Sequence, residues 1–142
     1  MYARGTIVGL TRGVKREHIA RSVLEAIAYQ MTDLLEAMKA DSGIELSELR
    51  VDGGASVSDI MMQIQANLIR TKVNRPKMVE TTALGASFLA GLAVGFWESY
   101  EELEAVRKVD KIFEPKMVLE ERDRLYRGWL RAVDCARGWI EH

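Results

Sequence analysis

Apolar residues recur at three- and four-residue intervals along one early stretch, at Ile19, Val23, Ala26, Ile27, Met31, Leu34, Leu35 and Met38. That spacing lines one face of a helix and predicts helix from Lys15 to Lys39. Asp41-Ser42-Gly43 supplies the stop, with Gly43 as a left-handed cap. Ahead of it, Thr6, Ile7 and Val8 predict a short strand over Gly5 to Leu10, ended by Thr11-Arg12-Gly13. Leu49-Arg50-Val51-Asp52 predicts a second strand that feeds Gly53-Gly54. A helix follows from about Asp59 to Arg70, with Ile60, Ile64 and Leu68 on one stripe. Thr71 to Asn74 predicts a third strand, closed by Arg75-Pro76. Helices are expected again from Thr82 to Phe96, from Tyr100 to Val106 with Ser99 as cap, and from about Leu119 to Ile140. Strands alternating with helices argue for an α/β layer rather than a bundle.

Composition adds limits to this picture. A chain of 142 residues is about one domain and can bury a real core. It is 48% hydrophobic and 29% charged with a net charge of -1, so neither nucleic acid nor an anionic membrane is indicated as a partner. The longest apolar stretch, Ala83 to Trp97, is shorter than a membrane span and holds Gly85, Gly91 and Gly95, so it reads as buried helix. No signal-peptide pattern opens the chain, and a cytoplasmic location is expected. Cys135 is the single cysteine, which excludes an intramolecular disulfide and reads as a small buried or partly buried hydrophobe. His18 and His142 lie far apart in sequence, so no metal site is expected. Met31, Met38, Met61 and Met62 read as core filler, and Trp97, Trp129 and Trp139 as core packing. Arg4 and Arg12 read as ion-pair or interface residues.

The unit that carries chemistry is a strand, then Asp52-Gly53-Gly54-Ala55, then a helix. Successive glycines let the backbone turn sharply and leave no side chain to block a flat ligand or a phosphate. The helix that follows offers unpaired N–H groups to an anion. Ser56, Ser58 and Asp59 are placed to cap that helix or to contact a ribose. On pattern alone an empty tight turn is the better reading, because two glycines are far weaker than a phosphate-loop motif. Thr81 and Thr82 open a helix and read as caps before ligands.

Four segments in order raise the odds of a ligand. Tyr2-Ala3-Arg4-Gly5-Thr6-Ile7-Val8-Gly9-Leu10-Thr11-Arg12-Gly13 is the first, and Arg50-Val51-Asp52-Gly53-Gly54-Ala55 the second. Leu84-Gly85-Ala86 through Gly91-Leu92-Ala93-Val94-Gly95-Phe96-Trp97 is the third. Phe113-Glu114-Pro115 with Tyr126-x-Gly128-Trp129 is the fourth. Together they span nearly the whole chain and resemble the carboxy-terminal portion of glycerol kinases, in the FGGY carbohydrate kinase family. The resemblance implies that residues 1–142 are the carboxy-terminal part of that family's C-terminal domain, on its nucleotide-binding side. The implied fold is α/β, part of a ribonuclease H-like (actin-like ATPase) domain with strand order 3-2-1-4-5. Gly5 to Leu10, Leu49 to Asp52 and Thr71 to Asn74 would be its third, fourth and fifth strands. The first and second are not in this chain, so the sheet is expected to be incomplete, with exposed edges.

The implied nucleotide-binding residues are Gly53, Gly54, Ala55 and Ser58, with ATP or ADP as the ligand and Mg2+ in the intact enzyme. Gly54 would act through its backbone. Where the family carries an Asn contact, this chain has Ser58, which is shorter and presents no amide. No catalytic residue is expected here: the family's Asp-x-Gly-Thr-Thr-Ser phosphate turn is absent, and its catalytic Asp lies upstream. The intact enzyme would transfer the γ-phosphate of ATP to glycerol, giving glycerol 3-phosphate, whereas this chain alone would be inactive. Implied partners are the missing amino-terminal part and glycerol, and the gap in the sheet suggests a homo-oligomer. Another polyol or sugar kinase of the family, and a non-catalytic oligomerisation or regulatory fragment, stay open as alternatives.

Overall fold

One short helix is shared by two cores. In the computed structural model, which describes residues 2–140, helix α2 (Asp59–Ile69) buries Met61, Met62, Ile64, Gln65, Ala66 and Leu68, on more than one of its faces. Toward the sheet, Met61, Met62 and Ala66 pack with Val73 and Phe113. On the other side, Ile64 and Leu68 pack with Ala28 and Tyr29 of α1 (Arg16–Ser42), flanked by Leu125, Tyr126 and Trp129. Each such apolar side chain taken fully out of water contributes roughly 1.5–3 kcal/mol.

The sheet has order β1-β2-β3, with β1 (Glu48–Arg50), β2 (Lys72–Pro76) and β3 (Val109–Phe113). β1 and β2 run parallel with Leu49 opposite Val73, the expected neighbouring pair. β3 runs antiparallel with Phe113 opposite Val73, and the register shifts between Arg75 and Pro76, where proline has no N–H to offer. β3 was not foreseen, because its side chains are exposed up to Phe113 and carry no core-like alternation. The two anticipated strands sit a residue or two from their expected bounds.

Several expectations are corrected. Gly5 to Leu10 is not a strand: no described strand pairs with it, Ile7 and Leu10 are 62% and 59% exposed, and an isolated strand does not hold its shape in water. The free long edge of β1 agrees with the expected incompleteness of the sheet. α1 forms as anticipated. The Lys15 backbone N–H donates to Nδ1 of His18 at 3.1 Å, and Gly43 closes the helix in the left-handed region at φ 68°. Yet the periodic stripe that predicted α1 is largely uncovered, with Val23 56%, Leu34 53% and Met38 56% exposed. Met31 and Met38 therefore do not fill the core, whereas Met61 and Met62 do. Helix α3 (Thr81–Ala93) ends three residues before Phe96 and buries no residue; its tail folds back so that the Trp97 indole lies against Gly91. Cys135 and Trp139 are exposed, and His142 lies outside the described residues. Arg4 donates to the Ala3 carbonyl, and neither Arg4 nor Arg12 forms an ion pair among the described residues. Ser99 caps α4 (Tyr100–Val106) as expected, accepting from the Glu102 N–H.

Helix α5 (Leu119–Ala136) docks through polar contacts. Asp33 of α1 accepts from the Tyr126 hydroxyl at 2.6 Å and the Trp129 indole N–H at 2.7 Å, and Trp129 stacks on Tyr29 at 5.4 Å. The Arg122 Nε donates to the Leu68 carbonyl at 2.8 Å, satisfying the end of α2. Burial, then the Asp33 hydrogen bond, pushes the Tyr126 phenol up to about 12; burial, then Glu25, does the same for Tyr29. Both stay neutral in the folded chain while an unfolded chain ionises near 10. Their stabilising contribution is thus full below about pH 10 and is lost as pH climbs toward about 12. Tryptophan fluorescence through that range should report release of α5, and an unchanged signal to pH 12 would contradict it.

Candidate functional site

The Gly53–Ser58 turn is fixed from behind and open in front. Gly53 has φ 76° and ψ 172°, a conformation open essentially to glycine alone. Its N–H donates to the Val79 carbonyl at 2.8 Å. Its own carbonyl accepts from the Ser56 N–H at 3.1 Å and the Ser56 hydroxyl at 2.7 Å. Ser56 is therefore buried and committed to the turn rather than free for a ribose. Residues Gly54–Val57 form a single 3-10 turn.

Gly54 plays the other part. Gly54 and Ala55 are exposed, and a Cβ built on Gly54 would meet nothing within 4 Å. The space over that peptide is empty. Ser58 is half-buried and caps α2, its Oγ accepting from the Met61 N–H at 3.3 Å, which leaves the hydroxyl proton able to donate elsewhere. Gly53, Gly54, Ala55 and Ser58 thus lie along one continuous turn.

Charge is concentrated behind the turn. Asp59 pairs with Lys111 at 2.6 Å and Arg75 at 2.8 Å; Lys111, then Arg75, hold its carboxyl below the usual aspartate range. Asp59 is therefore an ion-pair anchor, not simply a cap. Asp52 accepts from the Thr81 hydroxyl, which ties the end of the β1 segment to the start of α3. Thr81 makes no cap bond, and the expectation that it would is corrected. Beside Val79 a cavity of ≈ 950 Å³ opens between α3 and α4, walled by Met78, Val79, Leu84, Phe88 and Leu103. Among the described residues no group of three or more His, Cys, Asp or Glu could hold a metal ion. No helix among them is long and apolar enough to cross a membrane.

Sequence reasoning missed Arg75, Asp110 and Lys111. Arg75 sits mid-strand beside a proline and read only as the close of a strand; no local pattern signals that its side chain reaches back to the turn.

A parallel strand pair, a glycine turn open to solvent and a helix starting from it define an α/β domain with backbone exposed at that turn. The chain belongs to the FGGY family of carbohydrate kinases: the model of that family's C-terminal domain matches residues 2–94. It is 61% identical over 99% of its length to a glycerol kinase of Thermoanaerobacter sp. (strain X514), and 59% identical over 97% to one of Vibrio cholerae. Its structure is similar to that of Plasmodium falciparum glycerol kinase with ADP, at TM-score 0.85 and 37% identity over 99% of this chain. A gluconate kinase of Lactobacillus acidophilus follows at TM-score 0.79 and 25% identity over 97% of this chain. The neighbours have the actin-like ATPase fold, of which this chain is a part. It spans 28% of the Thermoanaerobacter and Plasmodium relatives and 27% of the Vibrio one.

Proposed function

We propose that this chain is the nucleotide-binding portion of a glycerol kinase, in which the Gly53–Ser58 turn forms one wall of the adenosine pocket. The carrying observation is the open space over the exposed Gly54 peptide, on a turn whose other side is locked by Gly53, Ser56 and Arg75. Gly53, Gly54 and Ala55 would meet the nucleotide with backbone, and Ser58 would donate its hydroxyl proton. That the Plasmodium relative was solved with ADP supports a nucleotide as the ligand. Identities near 60% to glycerol kinases favour glycerol over another polyol.

The intact enzyme would move the γ-phosphate of ATP to glycerol, giving glycerol 3-phosphate. Phosphoryl transfer depends on positioning and on neutralising charge, and Mg2+ would supply the latter when bound. Among the described residues no group of three or more His, Cys, Asp or Glu would hold that metal without the phosphates. The share of the work carried here is orientation of the adenosine end, so the chain alone is inactive. The uncovered apolar stripe of α1 fits the same reading, as a face covered by the upstream part of a longer protein in the cytoplasm.

Exchanging this chain for the matching segment of the Thermoanaerobacter relative should yield an enzyme that phosphorylates glycerol with ATP. In that hybrid, Gly54→Val should raise the KM for ATP about tenfold or more while leaving the KM for glycerol in place. A folded hybrid without glycerol-dependent ADP production would overturn the glycerol kinase reading. An unchanged KM for ATP in the Gly54 variant would overturn the pocket.

A further inference from the structure

Arg75 is 11% exposed at its side chain and makes more polar contacts than any residue near the turn. Its Nη1 donates to the Ser56 carbonyl at 2.9 Å and to the Val57 carbonyl at 3.0 Å. Its Nη2 pairs with Asp59 at 2.8 Å, and Nε and Nη2 both reach Asp110 at 2.8 Å. The guanidinium carbon lies 5.2 Å from the centre of the Phe113 ring. One planar group from β2 therefore fastens the last carbonyls of the 3-10 turn, the first residue of α2 and the second residue of β3. Lysine has a single ammonium and could not span these partners at once, whereas the guanidinium presents five donors in a fixed fork.

We propose that Arg75 is a positioning residue: it sets how the Gly54 peptide is presented to adenine nucleotide without touching the nucleotide. The inference rests on the nucleotide reading of the turn. Its physical basis is leverage over a short segment. The Ser56 and Val57 carbonyls end the turn that begins at Gly54; the turn's other ties, Gly53 N–H to Val79 and the Ser56 N–H and hydroxyl to the Gly53 carbonyl, leave those two carbonyls to Arg75. Without Arg75 the two carbonyls must turn toward water, and the peptides between them and Gly53 rotate with them. Asp59 keeps Lys111, so α2 retains an anchor.

The test uses the hybrid enzyme described above, with amide NMR and ADP titrated into the millimolar range. Arg75→Lys should keep the melting temperature near that of the parent, yet shift the Gly54 and Ala55 amides and weaken ADP about tenfold. Arg75→Gln should weaken ADP further and lower the melting temperature as well; if it fails to fold, Arg75→Lys and Asp110→Asn carry the test. A loss of melting temperature in these variants with Gly54 amides and ADP affinity unmoved would assign Arg75 to stability alone and overturn the proposal. Gly54→Val separates the two ideas. If it blocks ADP while Arg75→Lys does not weaken it, only the Arg75 inference fails. If the parent hybrid shows no ADP response at Gly54, the nucleotide reading fails and the Arg75 proposal falls with it.

Discussion

Replacing Leu68 with alanine is expected to remove a large share of the chain's stability. Leu68 is 1% exposed and sits where α2, α1 and the Tyr126–Trp129 face of α5 converge. Leucine-to-alanine changes at such sites cost about 2.7–5 kcal/mol, the larger values where the surroundings cannot close over the cavity. Collapse is difficult here, because Ala28 offers no bulk to move and Tyr29 is held against Trp129. A domain of ordinary stability has only about 5–15 kcal/mol in hand, and this one leaves an apolar helix face in water. Urea unfolding should show a large fall in midpoint for Leu68→Ala, and almost none for Ile60→Ala, which is 59% exposed on the same helix. Similar losses at both positions would mean that α2 is not packed as described.

The second large effect falls on the turn. Gly53→Val is expected to cost about 1–3 kcal/mol, because a β-branched residue at φ 76° and ψ 172° is strained wherever its side chain points. The backbone would relax toward an ordinary conformation and pull its N–H from Val79 and its carbonyl from Ser56. Calorimetry should record a melting temperature lower by roughly 5–10 °C. Gly54→Val should change it far less, since the added atoms enter empty space. Equal losses for the two would show that space, rather than conformation, limits Gly53.

The sequence carried the local features whose causes are local. The caps at Ser58, Ser99 and Gly43, and the strand–glycine–helix unit, follow from the chemistry of a few adjacent residues. So did α1, although its apolar stripe announces a surface to be covered without saying whether this chain covers it. The failures are long-range. Gly5 to Leu10 has strand-like residues and no strand beside it, while β3 has exposed, charged residues and is ordered by pairing with β2. Arg75 illustrates the limit at the site: the two glycines are visible in the sequence, but the guanidinium that holds their turn lies beyond the next helix.

Helix α2 has little freedom to drift in sequence. Met61, Met62, Ile64, Gln65, Ala66 and Leu68 are buried, and Ile69 packs against the sheet core. Asp59 is bound to Arg75 and Lys111, while Gln63 and Asn67 hold the backbone between β3 and α5 at Glu114 and Lys116. Among its residues only Ile60 has neither burial nor a polar partner. A designer seeking to alter this domain can rewrite the outer face of α5 at small cost, but a change to α2 anywhere except Ile60 must be matched on the helices or the sheet packed around it. The helix that follows the Gly53–Ser58 turn is therefore also the segment with the narrowest choice of substitutes.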